Sequence, residues 1–357
     1  MGITGLSGWL RDTVPAAFLK TNLETYRGHR LAIDTSIWVY QFNQRGHRAS
    51  VEGIVVNELK RYSSLMESIL RMLGDCLNAG VTPIFVLDGV SPPEKTATRE
   101  RRKAAKAVNK AAVVALQAKW DATPVLDRTN QQKQALHDAL VKNVELPRDI
   151  FRYIGDVLRQ LGFPIFQAAG ESDGLCAALA REGVVAGVIS TDSDLLLYGV
   201  PRLINAWGPG YTKNERGLYI DIEVIDTAIV LQGLGLTLPQ FIDMGIACGT
   251  DFNRGLAGYA MAKSHKKLIE GYCLPAVLND EPLDKWRAFF AYRPHTQLVT
   301  GDYIYDIDTI AFRNGYNTAM ATACVDPRKF QWWSRVSVVS SPTTTISVPI
   351  VTQHENH

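Results

Sequence analysis

The sequence predicts an α/β fold with a mostly parallel, twisted sheet flanked by helices. Three observations predict it. Two apolar runs, Leu31-Ala32-Ile33 and Pro83-Ile84-Phe85-Val86-Leu87, stop on Asp34 and Asp88. Between them Leu59, Tyr62, Leu65, Met66, Ile69, Leu70, Leu73 and Leu77 recur at the three- and four-residue spacing of an amphipathic helix. Strand, helix and strand in that order form a crossover unit, which implies a parallel pair. A third apolar run, Val184 to Ser190, leads into Asp192 and Asp194.

Taken in order, the first strand is Arg30–Asp34, followed by the apolar segment Ile37–Phe42. Gly80 ends the long helix, and Pro83–Asp88 is the next strand. Gly89 to Pro93 reads as a turn. Residues 94–120 form a basic, alanine-rich helix broken by Asp121 to Pro124, and residues 129–145 form a second polar helix. Neither carries enough large apolar residues to be core, so 94–145 reads as a helical insertion standing off the sheet. The core resumes with a helix over Asp149–Leu161, a strand over Pro164–Gln167, a helix over Asp173–Glu182 and a strand over Val184–Ser190. Arg202–Asn205 and Gly217–Ile220 read as strands, and 222–233 and 238–248 as helices. A tight turn over Gly255–Ala260 precedes a basic helix over Met261–Tyr272, and 282–292 reads as one more helix. The expected organisation is a core in two parts, 1–93 and 146–253, with the insertion 94–145 between them. A hairpin-like element over 254–275, a helical region over 276–335 and an extended or disordered tail over 336–357 follow.

A chain of 357 residues with 46% hydrophobic and 21% charged residues has the composition of an ordinary globular protein. No run approaches the roughly 18 apolar residues of a membrane span, so no membrane partner is expected. The N-terminus lacks the basic and apolar regions of a secretory signal. Cys76, Cys176, Cys248, Cys273 and Cys324 are scattered, with no CxxC or Cys/His cluster. That excludes a zinc-finger type of site and a disulfide framework, and fits a reducing, intracellular setting. The net charge of +2 is uninformative, but its distribution is not. Residues 94–110 carry seven basic against two acidic residues, and residues 254–271 carry four against one. Two basic segments beside an acidic centre suit a polyanion, although solvated helix faces would look the same.

The acids carry the chemistry. In open α/β sheets, ligands bind beyond the carboxyl ends of the strands. Asp34, Asp88, Asp192 and Asp194 stand at or just past such ends, and Glu171 and Asp173 open a helix after a short strand. Taken singly, Asp34 with Ser36 nearby reads as a helix cap, and Asp192-Ser193-Asp194 as a turn. Taken together, so many carboxylates cannot all stay ionised without cations between them. An all-oxygen set without His or Cys selects hard ions such as Mg²⁺, with Mn²⁺ able to substitute. Two such ions clamp the attacking and leaving oxygens of phosphodiester hydrolysis. Asp251 cannot be placed by periodicity.

Six motifs carry a family resemblance: Met1-Gly2-Ile3-Thr4-Gly5-Leu6, Ala32-Ile33-Asp34, Val86-Leu87-Asp88-Gly89, Gly170-Glu171-Ser172-Asp173, Thr191-Asp192-Ser193-Asp194-Leu195-Leu196 and Gly249-Thr250-Asp251-Phe252. In order and spacing, over roughly residues 1–275, the chain resembles the structure-specific 5′ nucleases, the group of flap endonuclease, exonuclease 1, a Holliday-junction resolvase and XPG. Its layout is most similar to flap endonuclease. The resemblance implies a PIN-like core and DNA with single-strand/duplex junctions as substrate. It assigns Asp34, Asp88, Glu171 and Asp173 to a first metal site and Asp192, Asp194 and Asp251 to a second. It makes 94–145 an arch for a single-stranded 5′ end, with Lys95 and Arg102 steering the scissile phosphate at its base. It adds Gly2, Arg71, Gly249, Gly258 and Lys263 as DNA-contacting positions. A monomer in the nucleus, or at a site of viral DNA replication, is the implied setting.

Three departures qualify the resemblance, the third being the absence of a basic C-terminal tail. The hairpin keeps Gly258 but has Ala260 at the second glycine, and a Cβ there argues against the family's potassium site. No Gln-x-x-aliphatic-x-x-aromatic-aromatic peptide is present, since Phe330-Gln331-Trp332-Trp333 is wrongly ordered, so sliding-clamp binding is not expected. A non-catalytic DNA-binding relative and an RNA-directed nuclease remain the alternatives.

Overall fold

The computed structural model describes residues 3, 5–143, 145–146, 149–206 and 221–291. Helix α1 (Leu6–Thr13) buries Leu6 and Leu10 and leads to strand β1 (Phe18–Asn22). Strand β2 (Arg30–Asp34) runs directly into α2 (Thr35–Ser50). A short hairpin of β3 (Val51–Glu52) and β4 (Val55–Val56) turns the chain into α3 (Glu58–Ala79), which returns to β5 (Thr82–Leu87). Next come α4 (Thr96–Ala122), α5 (Asn130–Lys142) and α6 (Ile150–Gln160). The core continues through β6 (Ile165–Gln167), α7 (Ser172–Arg181), β7 (Val188–Ile189), β8 (Arg202–Asn205) and β9 (Asp221–Asp226). Helices α8 (Thr227–Leu234), α9 (Leu238–Cys248) and α10 (Met261–Ile269) follow, then a hairpin of β10 (Val277–Leu278) and β11 (Glu281–Pro282), and finally α11 (Leu283–Phe290).

Seven strands form one sheet in the order β1-β9-β8-β7-β2-β5-β6. The five from β8 to β6 are parallel, and β9 and β1 add an antiparallel edge. Side chains alternate between two cores, as strand geometry requires. Leu31, Ile33, Phe85, Ile189 and Ile204 face the core containing α2, α3 and α6. Ala32, Ile84, Val86, Val188 and Leu203 face the core containing α1, α7 and α9. A strand buried on both faces has no room for a polar period, which is why these strands read as continuous apolar runs. From β2 the chain builds outward to β5 and β6 on one side, and then returns to place β7 on the other. That reversal beside β2 is the topological switch point, where α/β sheets open a ligand crevice.

One expected element is corrected. Residues 222–233 are not one helix: Asp221–Asp226 is strand β9, and α8 starts only at Thr227. Ile222, Ile225 and Ile229 mimic a helical spacing, but the Asp226 carboxylate accepts the amides of Ala228 (3.0 Å) and Ile229 (3.2 Å) and sets the helix start there. The strand expected over Gly217–Ile220 and the tail 336–357 lie outside the described residues, as do residues 292–335. Helix α1, strand β1 and the two small hairpins have no counterpart in the sequence reading. Of the 27 residues in α4, Thr98 alone is buried. Alanine-rich helix propensity and packing on α5 hold α4 together away from the sheet.

Candidate active site

Because β2 is central and buried on both faces, its last residue emerges within the sheet edge. Asp34 is 2% exposed there. Its carboxylate accepts the Ile37 amide at 3.5 Å and so caps α2. It also accepts the hydroxyls of Ser172 at 3.1 Å and Ser190 at 3.0 Å. Asp34 is therefore both a helix cap and a member of the acidic group. Asp88, one residue past β5, accepts the Ser172 amide at 2.8 Å and the Ser36 hydroxyl. Ser172 thus holds Asp34 through its side chain and Asp88 through its backbone. A Cβ at Gly89 would stand 2.0 Å from the Ala168 carbonyl oxygen and 2.5 Å from that of Ala169. Only glycine lets the loop after β5 lie on the loop before α7, and this approach brings Asp88 to Glu171 and Asp173.

Asp192 and Asp194 follow β7, beside β2. The Asp192 amide donates to the Ser190 hydroxyl at 3.0 Å, and its carboxylate accepts the Asp194 amide at 3.1 Å. The Asp194 carboxylate accepts the Ile3 amide at 2.7 Å, which docks the start of the chain on the acidic group. Gly2 itself lies outside the described residues. Asp251 reaches the same edge from beneath α4. Lys95, at the foot of α4, places its ammonium 2.7 Å from Glu171 and 3.4 Å from Asp251. Arg102, about two turns along α4, stands 2.7 Å from Asp251. The Thr98 hydroxyl donates to the Asp251 carbonyl oxygen at 2.9 Å.

The seven acids behave as one electrostatic unit. Burial, with Asp88 adding to it, pushes the Asp34 carboxyl up to about 7. Burial and then Asp192 push Asp194 up to about 8. Asp173 is pushed well above the carboxylate range by burial and by Asp34, Asp192, Glu171 and Asp88. Burial also raises Asp192, opposed by the Asp194 amide, and Glu171, opposed by Lys95. Burial opposes the charge on Lys95, but Glu171 and Asp251 outweigh it and its pKa is raised. The Oε2 atom of Glu171 is buried without a hydrogen-bond donor. An oxygen-only donor set with an excess of negative charge and an unspent acceptor fits hard divalent cations. Among the described residues no three His, Cys, Asp or Glu side chains are already arranged around an ion. Carboxylates without cations repel, and Lys95 and Arg102 draw Glu171 and Asp251 to themselves.

The remaining sequence-predicted positions lie elsewhere. Arg71 is exposed on α3, flanked by buried Leu70 and Met72. Gly249 ends α9 at φ +91° and Gly258 turns the hairpin at φ +76°, backbone regions that disfavour side chains. The Lys263 ammonium, on α10, lies 5.3 Å from the centre of the Tyr259 ring. Ala260 caps α10 at an ordinary φ of −86°, so its backbone does not call for glycine.

Sequence reasoning missed the hydroxyls of Ser172 and Ser190 and the role of Ser36 toward Asp88. Their only signal is a place within two residues of an acid in the chain. It also missed Tyr40 on α2, a half-exposed ring whose hydroxyl is pushed up by burial and by Asp88, and Phe252, whose ring centre lies 5.7 Å from the Lys95 ammonium.

Known proteins bear on this arrangement. Residues 1–109 match the XPG N-terminal domain and residues 162–251 match the XPG I-region, together more than half of the chain. Flap endonuclease 1 of Cryptosporidium muris is 28% identical over 290 residues, covering 80% of this chain. The chain spans only 58% of that relative's length. Flap endonuclease 1 of Glycine max is 28% identical over 373 residues, covering 98% of this chain and 93% of the relative. Among solved structures, flap endonuclease-1 from Methanococcus jannaschii matches with a TM-score of 0.63 at 22% identity, covering 91% of this chain and 95% of that one, a likeness of fold. With both characteristic regions present and the acidic edge built from the two together, the chain belongs to the XPG-like family of 5′ nucleases, in the neighbourhood of the flap endonucleases.

Proposed function

We propose that the protein hydrolyses phosphodiester bonds of DNA at junctions between single strand and duplex, as a structure-specific 5′ nuclease. The observation that carries this reading is the gathering of seven carboxylates at the switch point, beneath a basic helix whose foot bears Lys95 and Arg102. The relatives described above are both flap endonuclease 1 proteins.

Asp34, Asp88, Glu171 and Asp173 would hold one divalent cation and Asp192, Asp194 and Asp251 a second, Mg²⁺ or in its place Mn²⁺. When bound, such ions lower the pKa of water and stabilise charge on phosphoryl oxygens. The chain's own groups do the rest. Ser172, Ser190 and Ser36 fix the orientation of Asp34 and Asp88. Lys95 and Arg102 offer positive charge to a phosphate entering beneath α4. The half-exposed ring of Tyr40 beside Asp88 can stack on a base. Duplex would lie along the turn at Gly258 and the lysines of α10, where Lys263 and Lys267 cover Tyr259 and Tyr272. The arch 94–145 would admit the single strand. Ala260 in the hairpin gives no support to a potassium site. The protein would act as a monomer, in the nucleus or at a site of viral DNA replication, without a sliding-clamp peptide.

The test is cleavage of a 5′-flap duplex, a nicked duplex, a four-way junction and matched RNA at one Mg²⁺ concentration. The unaltered protein should cut flap DNA, while Asp34→Ala, Asp88→Ala and Asp192→Ala should bind it and leave it intact. Undiminished cleavage by these variants sinks the metal assignment. Preference for RNA, or binding without any cleavage, replaces the proposal with one of the alternatives.

A further inference from the structure

Lys95 sits at the end of a continuous contact path that begins on α11. The rings of Trp286 and Phe289 lie 6.2 Å apart at 23°, and Phe289 and Phe252 stack at 4.8 Å and 9°. The Lys95 ammonium lies over the Phe252 ring at 5.7 Å from its centre. A second arm closes the loop: the Lys285 ammonium is 3.5 Å from Glu94, the residue before Lys95. Helix α11 is itself fixed. Arg287 donates to both oxygens of Asp243 on α9 at 2.7 Å, the Trp286 indole donates to the Leu278 carbonyl oxygen at 3.0 Å, and Phe290 packs on Tyr198 at 5.0 Å.

We infer that α11 positions Lys95, through the Trp286–Phe289–Phe252 stack under its ammonium and through the hold of Lys285 on Glu94. A lysine head on a four-carbon stem has no preferred place of its own. Its two other partners, Glu171 and Asp251, are the carboxylates a cation or phosphate would engage. The aromatic face is the contact that persists when those partners turn elsewhere. The inference rests, for its catalytic consequence only, on the proposed steering role of Lys95.

Two measurements test it. In the metal-free full chain, acetylation of Lys95 is followed by mass spectrometry, with Lys103 and Lys263 as controls. Phe289→Leu keeps apolar volume but removes the flat face, and should speed Lys95 labelling about 3-fold while the controls stay unchanged. Phe289→Tyr should restore the original rate. In single-turnover cleavage of a 5′-flap duplex, Phe289→Leu should slow the reaction about 10-fold with flap affinity unchanged. Placed in a Lys95→Ala background, it should add no further loss, because two changes acting through one group are not additive. Lys285→Ala, at a half-exposed site that tolerates truncation, should show the same dependence at about 2-fold. Unchanged Lys95 labelling, or equal losses with and without Lys95, overturns the inference. Normal labelling shifts in a protein that cuts no DNA would overturn the nuclease reading and leave the positioning of Lys95 standing.

Discussion

Glu171 and Asp251 sit beside cations, with Lys95 and Arg102 each 2.7 Å from one of them. Across the same cleft, among the described residues, the hydrogen-bond donors to Asp34, Asp192 and Asp194 are hydroxyls and backbone amides, and Asp173 is surrounded by other acids. Hydrogen bonds from neutral donors orient a carboxylate without cancelling its charge. The first half of the cleft is thus balanced by the fold, whereas the second half carries a charge deficit. Added positive charge has most to gain in the second half, which is also the half built at the switch point between β2 and β7.

The largest effects should come from the unbalanced half, and with opposite signs in stability and activity. Asp173→Asn removes a carboxyl whose ionisation burial and its acidic neighbours oppose. It should stabilise the metal-free protein by about 2 kcal/mol and lower flap cleavage about 10³-fold or more. Asp251→Asn should instead destabilise it, by about 1 kcal/mol, because Lys95 and Arg102 lose a counter-charge. Thermal melts in EDTA and single-turnover cleavage of both variants settle the matter. Destabilisation by both substitutions would erase the distinction between the halves.

pH separates the halves in a second way. The acids of the unbalanced half have raised pKa values in the folded protein, about 7 for Asp34 and about 8 for Asp194, against the ordinary carboxylate value of 3.8. Between those limits the folded state binds more protons than the unfolded one, so stability falls as pH rises. In EDTA the melting temperature should therefore drop between about pH 5 and pH 8. Adding Mg²⁺ at about 100 times its dissociation constant should contribute about 2.7 kcal/mol and flatten the slope. Melts across this range with EDTA and with Mg²⁺ provide the check. A metal-free profile that rises with pH would contradict the deficit, and an Mg²⁺ effect that survives Asp173→Asn unchanged would place the ion elsewhere.

How far the cleft was legible in sequence follows the same division. The strand-end acids were readable because an apolar run that stops on Asp marks both the strand and its carboxyl end. Two parallel strands and a crossover helix then bring Asp34 and Asp88 to one edge without further information. The balanced half depends on contacts that no local pattern encodes. Asp251 joins through Lys95, Thr98 and Arg102, all more than 140 residues away in the chain. The serines were invisible for another reason: a hydroxyl beside an acid is common, and only the fold shows which one donates to which. The segment 222–233 failed because Ile222 and Val224 fit a strand while Ile222, Ile225 and Ile229 fit a helix. Pairing with β8 and β1 and the cap at Asp226 decided between two local periods of similar strength. The link from α11 to Lys95 was illegible for the reason that applies to Asp251, being made of contacts between segments distant in sequence.

The smallest expected effect, and the sharpest on the comparison, belongs to Arg102. Its side chain is 40% exposed, so its pair with Asp251 is screened by solvent and worth less than about 1 kcal/mol. Lys95 is more enclosed, at 15%, and is the group that meets both Glu171 and Asp251. Arg102→Ala should leave the metal-free melting temperature and its Mg²⁺ response nearly unchanged, because Lys95 still balances this half. Lys95→Ala should lower that temperature measurably, because Glu171 is then left enclosed with an unpaired Oε2 and no cation. Both should slow cleavage, Arg102→Ala by about 10-fold, since a phosphate beneath α4 would lose a guanidinium. Parallel melts and single-turnover rates of the two variants make the comparison. If Arg102→Ala proves the more destabilising, the balance resides at the exposed end of the cleft, and the account of Lys95 as its keystone fails.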